Sequence, residues 1–412
     1  MKELLPRRAR EYQERAHEIA ERAVRPVAAE LDRTGEYPWS VVAALRAADL
    51  MGIWVPPEYG GHGAGVLELC VVVEELSRAC GGVGVAYAVN ALGSFPIILA
   101  GTAEQKRRFL PPVAAGEKLI AFGLSEKASG SDAGSLRTRA VRDGDHYVIN
   151  GDKKWNTNGN AAEIYTVYCS TRPDRGSRGI SPIVVEKGTP GFVIGKREEL
   201  MGIRCVPVHE LHFRDCRVPA GNLLGGLEGK GFANAMMTLD RARPGVAAQA
   251  VGLAQGALEW ALRYAAERQQ FGQSVLSFQA TQFKLADMAT EIEAARQLVY
   301  AAARAIDQDH PAASKYAAMC KVFASDVAMR VTTDAVQIFG GYGYCRDYPI
   351  EKYMRDAKIT QIYEGANQIQ RLVIGRALTK AATSLTPLLD VKVEHFAAPA
   401  GELEAAAAGR EP

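Results

Sequence analysis

The chain has 412 residues, 48% hydrophobic and 23% charged, with a net charge of +2. That length suits two or three domains of ordinary globular make-up, and no basic run interleaved with aromatics suggests a nucleic-acid partner. Seven cysteines without a Cys-x-x-Cys pair and seven histidines without ligand spacing point to reduced thiols in a cytoplasmic protein, with neither a metal site nor a disulfide framework.

Residues 1–117 read as helices. Leu4 to Leu31 carries one long amphipathic pattern, and Glu11, Glu14, Glu18 and Glu21 among its arginines argue against a signal or transit peptide. Pro38 to Leu50 opens with a proline, which a first helical turn accepts. The Gly60-Gly-His-Gly-Ala-Gly65 run lacks the strand–helix frame of a nucleotide loop and reads as a plain loop. Leu67–Ala79 and Val83–Leu99 are apolar enough to be buried. Ala79–Ala103 has the length of a membrane span, but its Gly81, Gly82, Gly84, Asn90, Gly93, Ser94 and Pro96 make it a core helix instead. Thr102-Ala-Glu-Gln105 is a capping box for a helix ending near Gly116.

From about 118 the period changes from 3.6 to 2. Arg137 to Asn150, with Asp143-Gly144 at its middle, is a hairpin signal. Ile164–Ser170, Pro182–Glu186, Phe192–Gly195 and Val208–Arg214 follow as strands punctuated by Gly and Pro, as in a small barrel or sandwich. In the last of these His209 and His212 fall on opposite faces. From Gly229 the helical period returns. Phe232–Gln269 is one long helix or two. Leu285, Met288, Ile292, Ala295 and Val299 form a bundle seam, and Met319, Phe323 and Val327 share a face of the helix opened by Pro311. The architecture is α+β: helical domain 1–117, β domain 118–228, helical bundle 229–383. The tail 384–412 has lost helical periodicity and reads as loose.

Six segments carry candidate chemistry. Ile359-Thr-Gln-Ile-Tyr-Glu-Gly-Ala-Asn-Gln-Ile-Gln-Arg371 places Glu364 where an extended-looking run turns into an amphipathic helix. It is either a desolvated general base with a raised pKa or a solvated loop glutamate. Phe122-Gly-Leu-Ser-Glu-Lys-Ala-Ser-Gly-Ser-Asp132, just before the strands, lets backbone N–H groups approach a ligand and adds hydroxyls at Ser125 and Ser131; the alternative is a serine-rich turn. Lys153-Lys-Trp-Asn-Thr-Asn-Gly159 follows the hairpin and offers a flat ring and a hydroxyl, or a core Trp before a turn. Leu239-Asp-Arg-Ala-Arg-Pro244 opens a helix with two charges that are either functional or solvated. Glu267-Arg-Gln-Gln-Phe-Gly272 and Gln337-Ile-Phe-Gly-Gly-Tyr-Gly343 supply a helix-end arginine, for a diphosphate or a salt bridge, and a glycine-rich helix end.

Together these segments resemble the acyl-CoA dehydrogenase family, over most of the chain. The resemblance implies an N-terminal helical domain, a central β-barrel or sandwich and a C-terminal four-helix bundle. It implies FAD as cofactor, held at Phe122, Gly123, Leu124, Ser125, Ser131, Trp155, Asn156, Thr157, Arg268, Phe271, Gln337, Gly340, Gly341, Ala366 and Gln368. Substrate would meet Ser131, Asp240, Arg243 and Gly365. The family's usual Thr-Glu-Pro-x-Ala-Gly-Ser-Asp differs here at Ser125, Lys127 and Ser129, its Trp-Ile-Thr-Asn-Gly at Asn156, and its usual Thr at Ala366. One family branch keeps its base at the position of Ala242, which leaves Glu364. The implied reaction is α,β-dehydrogenation of an acyl-CoA, with Glu364 taking the α-proton and flavin N5 the hydride. Implied partners are an electron-transferring flavoprotein and three further copies in a dimer of dimers. Alternatives are an acyl-CoA oxidase or β-eliminating flavoprotein of this fold, and a non-catalytic acyl-CoA-binding relative.

Overall fold

The computed structural model describes residues 5–382. Up to Val373 they form one compact unit; a second begins at Ile374, and its described part is the last stretch of the final helix. The N-terminal region holds α1 (Arg7–Ile19), α2 (Ala28–Thr34), α3 (Trp39–Ala47), α4 (Val66–Ala79), α5 (Gly81–Ala100) and α6 (Ala103–Ala114). The single helix predicted to reach Leu31 is interrupted. Pro26 has no N–H to give, and the chain passes through a π turn at Ala20–Val24 and a 3-10 turn at Arg25–Val27 before α2 resumes. α5 is long and apolar enough to cross a membrane, but 72% of its apolar window is buried within the protein. α6 has the capping box foreseen: Gln105 N donates to Thr102 Oγ1 at 3.2 Å and Thr102 N to Gln105 Oε1 at 2.9 Å. The N–H groups of Val66 and Leu67, just after the glycine-rich loop, are taken by the Asp307 carboxylate, so that loop offers no phosphate cradle.

The middle region is a curled sheet: β1 (Ile120–Gly123), β2 (Arg139–Asp143), β3 (His146–Thr157), β4 (Ile164–Ser170), β5 (Ile180–Glu186), β6 (Phe192–Arg197) and β7 (Val208–Pro219). Strand order is β1-β4-β2-β3-β7-β6, with β5 on β4. Two readings change. Phe122 and Gly123 lie in a strand, β1, which runs parallel to β4 from Ile120 opposite Ile164. Trp155 to Thr157 do not follow the hairpin but end β3, which stays paired with β7 as far as Thr157 opposite Val208. A register shift between Lys153 and Asn156 puts Trp155 at φ +60°. Bulges of this kind re-aim a side chain.

The C-terminal region holds α7 (Gly231–Glu267), α8 (Gln279–Asp307), α9 (Ala313–Phe339), α10 (Gly341–Tyr344), α11 (Ile350–Lys358) and α12 (Asn367–Ala382). α7 is one helix of 37 residues, so Leu239–Pro244 lies inside it rather than opening it. Pro244 costs a main-chain bond there, and the complete burial of Ala247, Ala248 and Ala250 just beyond it shows the packing that offsets the loss. On α9 the buried face is Ala317, Cys320, Ala324 and Val327; Phe323 stands 38% exposed, off the face it was assigned. α7, α8, α9 and α11 pack as the bundle, and α4 crosses α7 closely because α7 presents glycines there. A Cβ on Gly252 would sit 2.2 Å from the Glu74 carbonyl oxygen, and one on Gly256 2.3 Å from that of Arg78. Gly252→Ala is therefore expected to cost about 1–3 kcal/mol through overpacking, read as a lower thermal midpoint with the protein's catalytic spectrum unchanged.

Candidate active site

Glu364 sits in a five-residue link, 362–366, between two helical segments. The run before it is not extended: Ile359–Gln361 is a 3-10 turn continuing α11, held by Thr360 Oγ1 donating to Ala357 O at 2.6 Å. After it, Glu364 and Gly365 take φ +52° and +96° in succession, which reverses the chain into α12. The reversal turns both carbonyls inward. Glu364 O accepts from Gln370 Nε2 at 3.2 Å and Arg243 Nε at 3.4 Å. Gly365 O accepts from Gln370 Nε2 at 2.7 Å and Lys321 Nζ at 2.9 Å. Tyr363 is anchored by its hydroxyl to Gln249 of α7.

The side chain of Glu364 is treated differently from its backbone. The residue is partly accessible, yet Oε2 is buried and has no hydrogen-bond partner among the described residues. A buried carboxylate oxygen without a donor is costly. Burial pushes its pKa up to about 7, against the opposing pull of the Arg243 and Lys321 cations. The carboxyl is therefore desolvated rather than that of a solvated loop glutamate. The Glu364 N–H also has no acceptor among the described residues.

α7 ties this loop to the segments read as flavin-binding. Arg243 is buried and bonds Asp240 at 2.5 Å. One turn earlier, Leu239 joins Leu124, Leu136, Tyr168, Ile180 and Ala235 in a small apolar cluster, with Phe122 and Phe232 against it. The loop after β1 is pinned from below. Lys153, fully buried, donates to Leu124 O at 3.0 Å and Glu126 Oε1 at 2.8 Å. Glu126 also accepts the N–H groups of Arg137 and Thr138 at 2.7 and 2.9 Å. Lys154 N donates to Ser125 O at 3.0 Å, which ties Ser125 to β3 at the residue before Trp155. Trp155 is 50% exposed, with the Lys154 ammonium 5.7 Å from its ring. Asn156 is buried, its side chain donating to His209 O at 3.0 Å. Ser131 and Gln368 are exposed and Ala366 half-buried.

The other candidates lie apart. Arg268 caps the far end of α7, 25 residues past Arg243, or about 37 Å along the helix axis. Its guanidinium lies 5.6 Å from the Tyr342 ring. Gln337, Gly340 and Gly341 are exposed near it, and Phe271 is 93% exposed. One chain does not bring this group to Glu364. Sequence reasoning missed Lys321, Gln249, Gln370 and the Lys153–Glu126 pair. For Lys321 a signal existed: it falls on the apolar face of α9 beside Ala317, Ala324 and Ala328, where a lysine is out of pattern.

Models of the acyl-CoA dehydrogenase N-terminal, middle and C-terminal domains match residues 6–117, 121–216 and 229–379. The chain belongs to the acyl-CoA dehydrogenase family, flavoprotein oxidoreductases. The probable acyl-CoA dehydrogenase FadE25 of Mycobacterium tuberculosis is 48% identical over 376 residues, 91% of this chain and 96% of its own. Butyryl-CoA dehydrogenase from Megasphaera elsdenii superposes with a TM-score of 0.89 at 46% identity, covering 91% of this chain and 99% of its own. A chain from a structure described as the electron transferring flavoprotein of Acidaminococcus fermentans matches with a TM-score of 0.89 at 50% identity, covering 91% and 98%.

Proposed function

We propose that the protein oxidises an acyl-CoA thioester to the 2-enoyl-CoA, with Glu364 as the base that removes the α-proton. The observation that carries this is the buried, unpartnered Oε2 on a loop whose carbonyls are clamped by Arg243, Gln370 and Lys321. An α C–H beside a thioester is a weak acid, so the base must be held against it while the carbonyl oxygen gains a donor. The Glu364 N–H, which has no acceptor among the described residues, is suited to be that donor. Asp240 holds Arg243, and through it the Glu364 carbonyl.

The residues present fit FAD. A half-exposed Trp155 ring on a bulge of β3, with Thr157 two residues on and Ser125 tied to Lys154, suits a flat, hydrogen-bonding ring system, and Phe122, Gly123, Leu124 and Ser131 belong to the β1 segment that would complete it. Bound there, FAD would supply the two-electron acceptor for the β-hydrogen. Arg268, Phe271, Gln337, Gly340 and Gly341 would hold the diphosphate and adenine end for a neighbouring copy. Their distance from Glu364, and the exposure of Phe271 and Tyr344 (93% and 89%), support a homotetramer built as a dimer of dimers. An electron-transferring flavoprotein would take the electrons onward, by likeness to the family.

The test is anaerobic mixing with a panel of short, branched and alicyclic acyl-CoAs, followed at the flavin band with analysis for enoyl product. No bleaching with any of them overturns the reading, and stoichiometric peroxide in air would make the protein an oxidase. Because Glu364 titrates near 7, the bleaching rate should rise through that pH. Below it the protonated acid cannot accept a proton, so the rate falls about tenfold per pH unit.

A further inference from the structure

Lys321 has no part in the mechanism above beyond a single bond to a carbonyl, yet its setting is unusual. Its side chain enters from α9, where it is the one charged residue on a buried face of alanines, Cys320, Ser325, Val327, Val331, Thr332 and Phe339. The ammonium donates to Gly365 O and to Asn367 Oδ1, each at 2.9 Å, spanning both ends of the turn that follows Glu364. Asn367 is itself fixed, donating from Nδ2 to Ser325 Oγ at 2.9 Å and Asp326 Oδ1 at 2.8 Å. Burying a lysine without a carboxylate partner is expensive. None of its hydrogen-bond partners is an anion, and no hydrogen bond joins it to Glu364.

We propose that Lys321 is a positioning residue for this centre, a buried cation that ties the base's loop to α9 and lends its positive charge to the Glu364 carboxylate. The inference rests on Glu364 being the base. Two consequences of the burial agree with it: desolvation pulls Lys321 down to about 7 while the Glu364 carboxylate pulls it up, and Lys321 in turn pulls Glu364 down. The other charges around the loop are accounted for. Arg243 on α7 is paired with Asp240. Asp326 on α9 is paired with Arg371 at 2.8 Å. Asp356 on α11 is paired with Lys352. Tyr363 stays neutral, its pKa held well above 10 by burial. Lys321 is thus a cation without an ion-pair partner among the described residues whose field falls on the carboxylate, and two such coupled groups titrate as a pair.

The experiment compares Lys321→Gln, which keeps a donor and removes the charge, with Lys321→Met, which removes both. Circular dichroism and retained FAD establish the fold first; if the Met variant fails to fold, the near-isosteric Gln variant carries the test. With an acyl-CoA that bleaches the unaltered protein, the acid limb of the rate–pH profile should move up by about half a unit or more in both variants. At pH 6.5 that is about a threefold loss, with the high-pH rate better kept in the Gln variant. A loop clip without an electrostatic part would lower the rate equally at every pH, and a limb that stays in place overturns the proposal. A second readout needs no turnover: infrared titration of the Glu364 carboxyl band in the substrate-free holoprotein, obtained by difference against Glu364→Gln. The same upward shift is expected there and its absence again overturns the proposal. If no acyl-CoA bleaches even the unaltered protein, the dehydrogenation reading fails by itself, and the carboxyl titration still decides the role of Lys321.

Discussion

Glu364→Gln should abolish flavin bleaching for practical purposes, by about 10³–10⁴-fold, while FAD and acyl-CoA remain bound. The substitution keeps the volume, the clamped carbonyls and the backbone donor and removes only the proton acceptor. Stopped-flow anaerobic reduction measures it, and near-full bleaching would rule Glu364 out as base. The same variant has a second signature, opposite in direction. A carboxylate whose folded pKa is about 7 against an ordinary 4.5 binds its proton more tightly in the folded state. Stability of the unaltered protein therefore falls as pH rises between those values, and above about 7 the fold carries the full burden of the charged Oε2. Replacing it with the neutral amide should leave the thermal midpoint little changed at pH 4.5 and raise it at pH 8. An active-site group that costs stability and supplies activity behaves this way; a structural glutamate would not.

Lys153→Met should damage the protein more than any other single change near the flavin segments. The lysine is fully buried, its ammonium lies 2.8 Å from Glu126, and removing it strands a nearly buried carboxylate. Breaking such a pair from one side costs about 3–5 kcal/mol. The loss falls on the loop of Leu124 to Glu126, so FAD should dissociate more readily and the apoprotein should melt several degrees lower. Adding Glu126→Gln should recover part of this, because the stranded charge goes. Titration of apoprotein with FAD and thermal melts of all three variants give the cycle; equal losses in the single and double variants would contradict the stranded-charge account.

Much of the chain was legible in one dimension because its signals are local. Period 3.6, then 2, then 3.6 marked the helical, β and helical regions, and the Thr102–Gln105 box marked a helix start that the side chains do cap. The errors occur where a longer-range interaction outweighs the local one. Pro244 looked like a helix opening, yet packing along α7 carries the helix through it. The segment of Trp155 reads as following the hairpin, with a core Trp as one reading, yet pairing with β7 extends β3 past it and a bulge leaves the ring half exposed. Ile359–Tyr363 looked extended because Ile, Thr and Tyr favour strands, but α11 continues into a 3-10 turn there.

The amino-acid order alone determined the family and the three-part architecture and singled out Glu364 as the candidate acid, since these rest on periodicity and on short runs of specific residues. How strongly that carboxyl is desolvated and what holds its loop were decided only in three dimensions. The pKa of Glu364 comes from burial set by α7, α9 and α12, and from cations 121 and 43 positions away along the chain at Arg243 and Lys321. Desolvation and Coulomb fields depend on distance in space, which a sequence pattern does not encode.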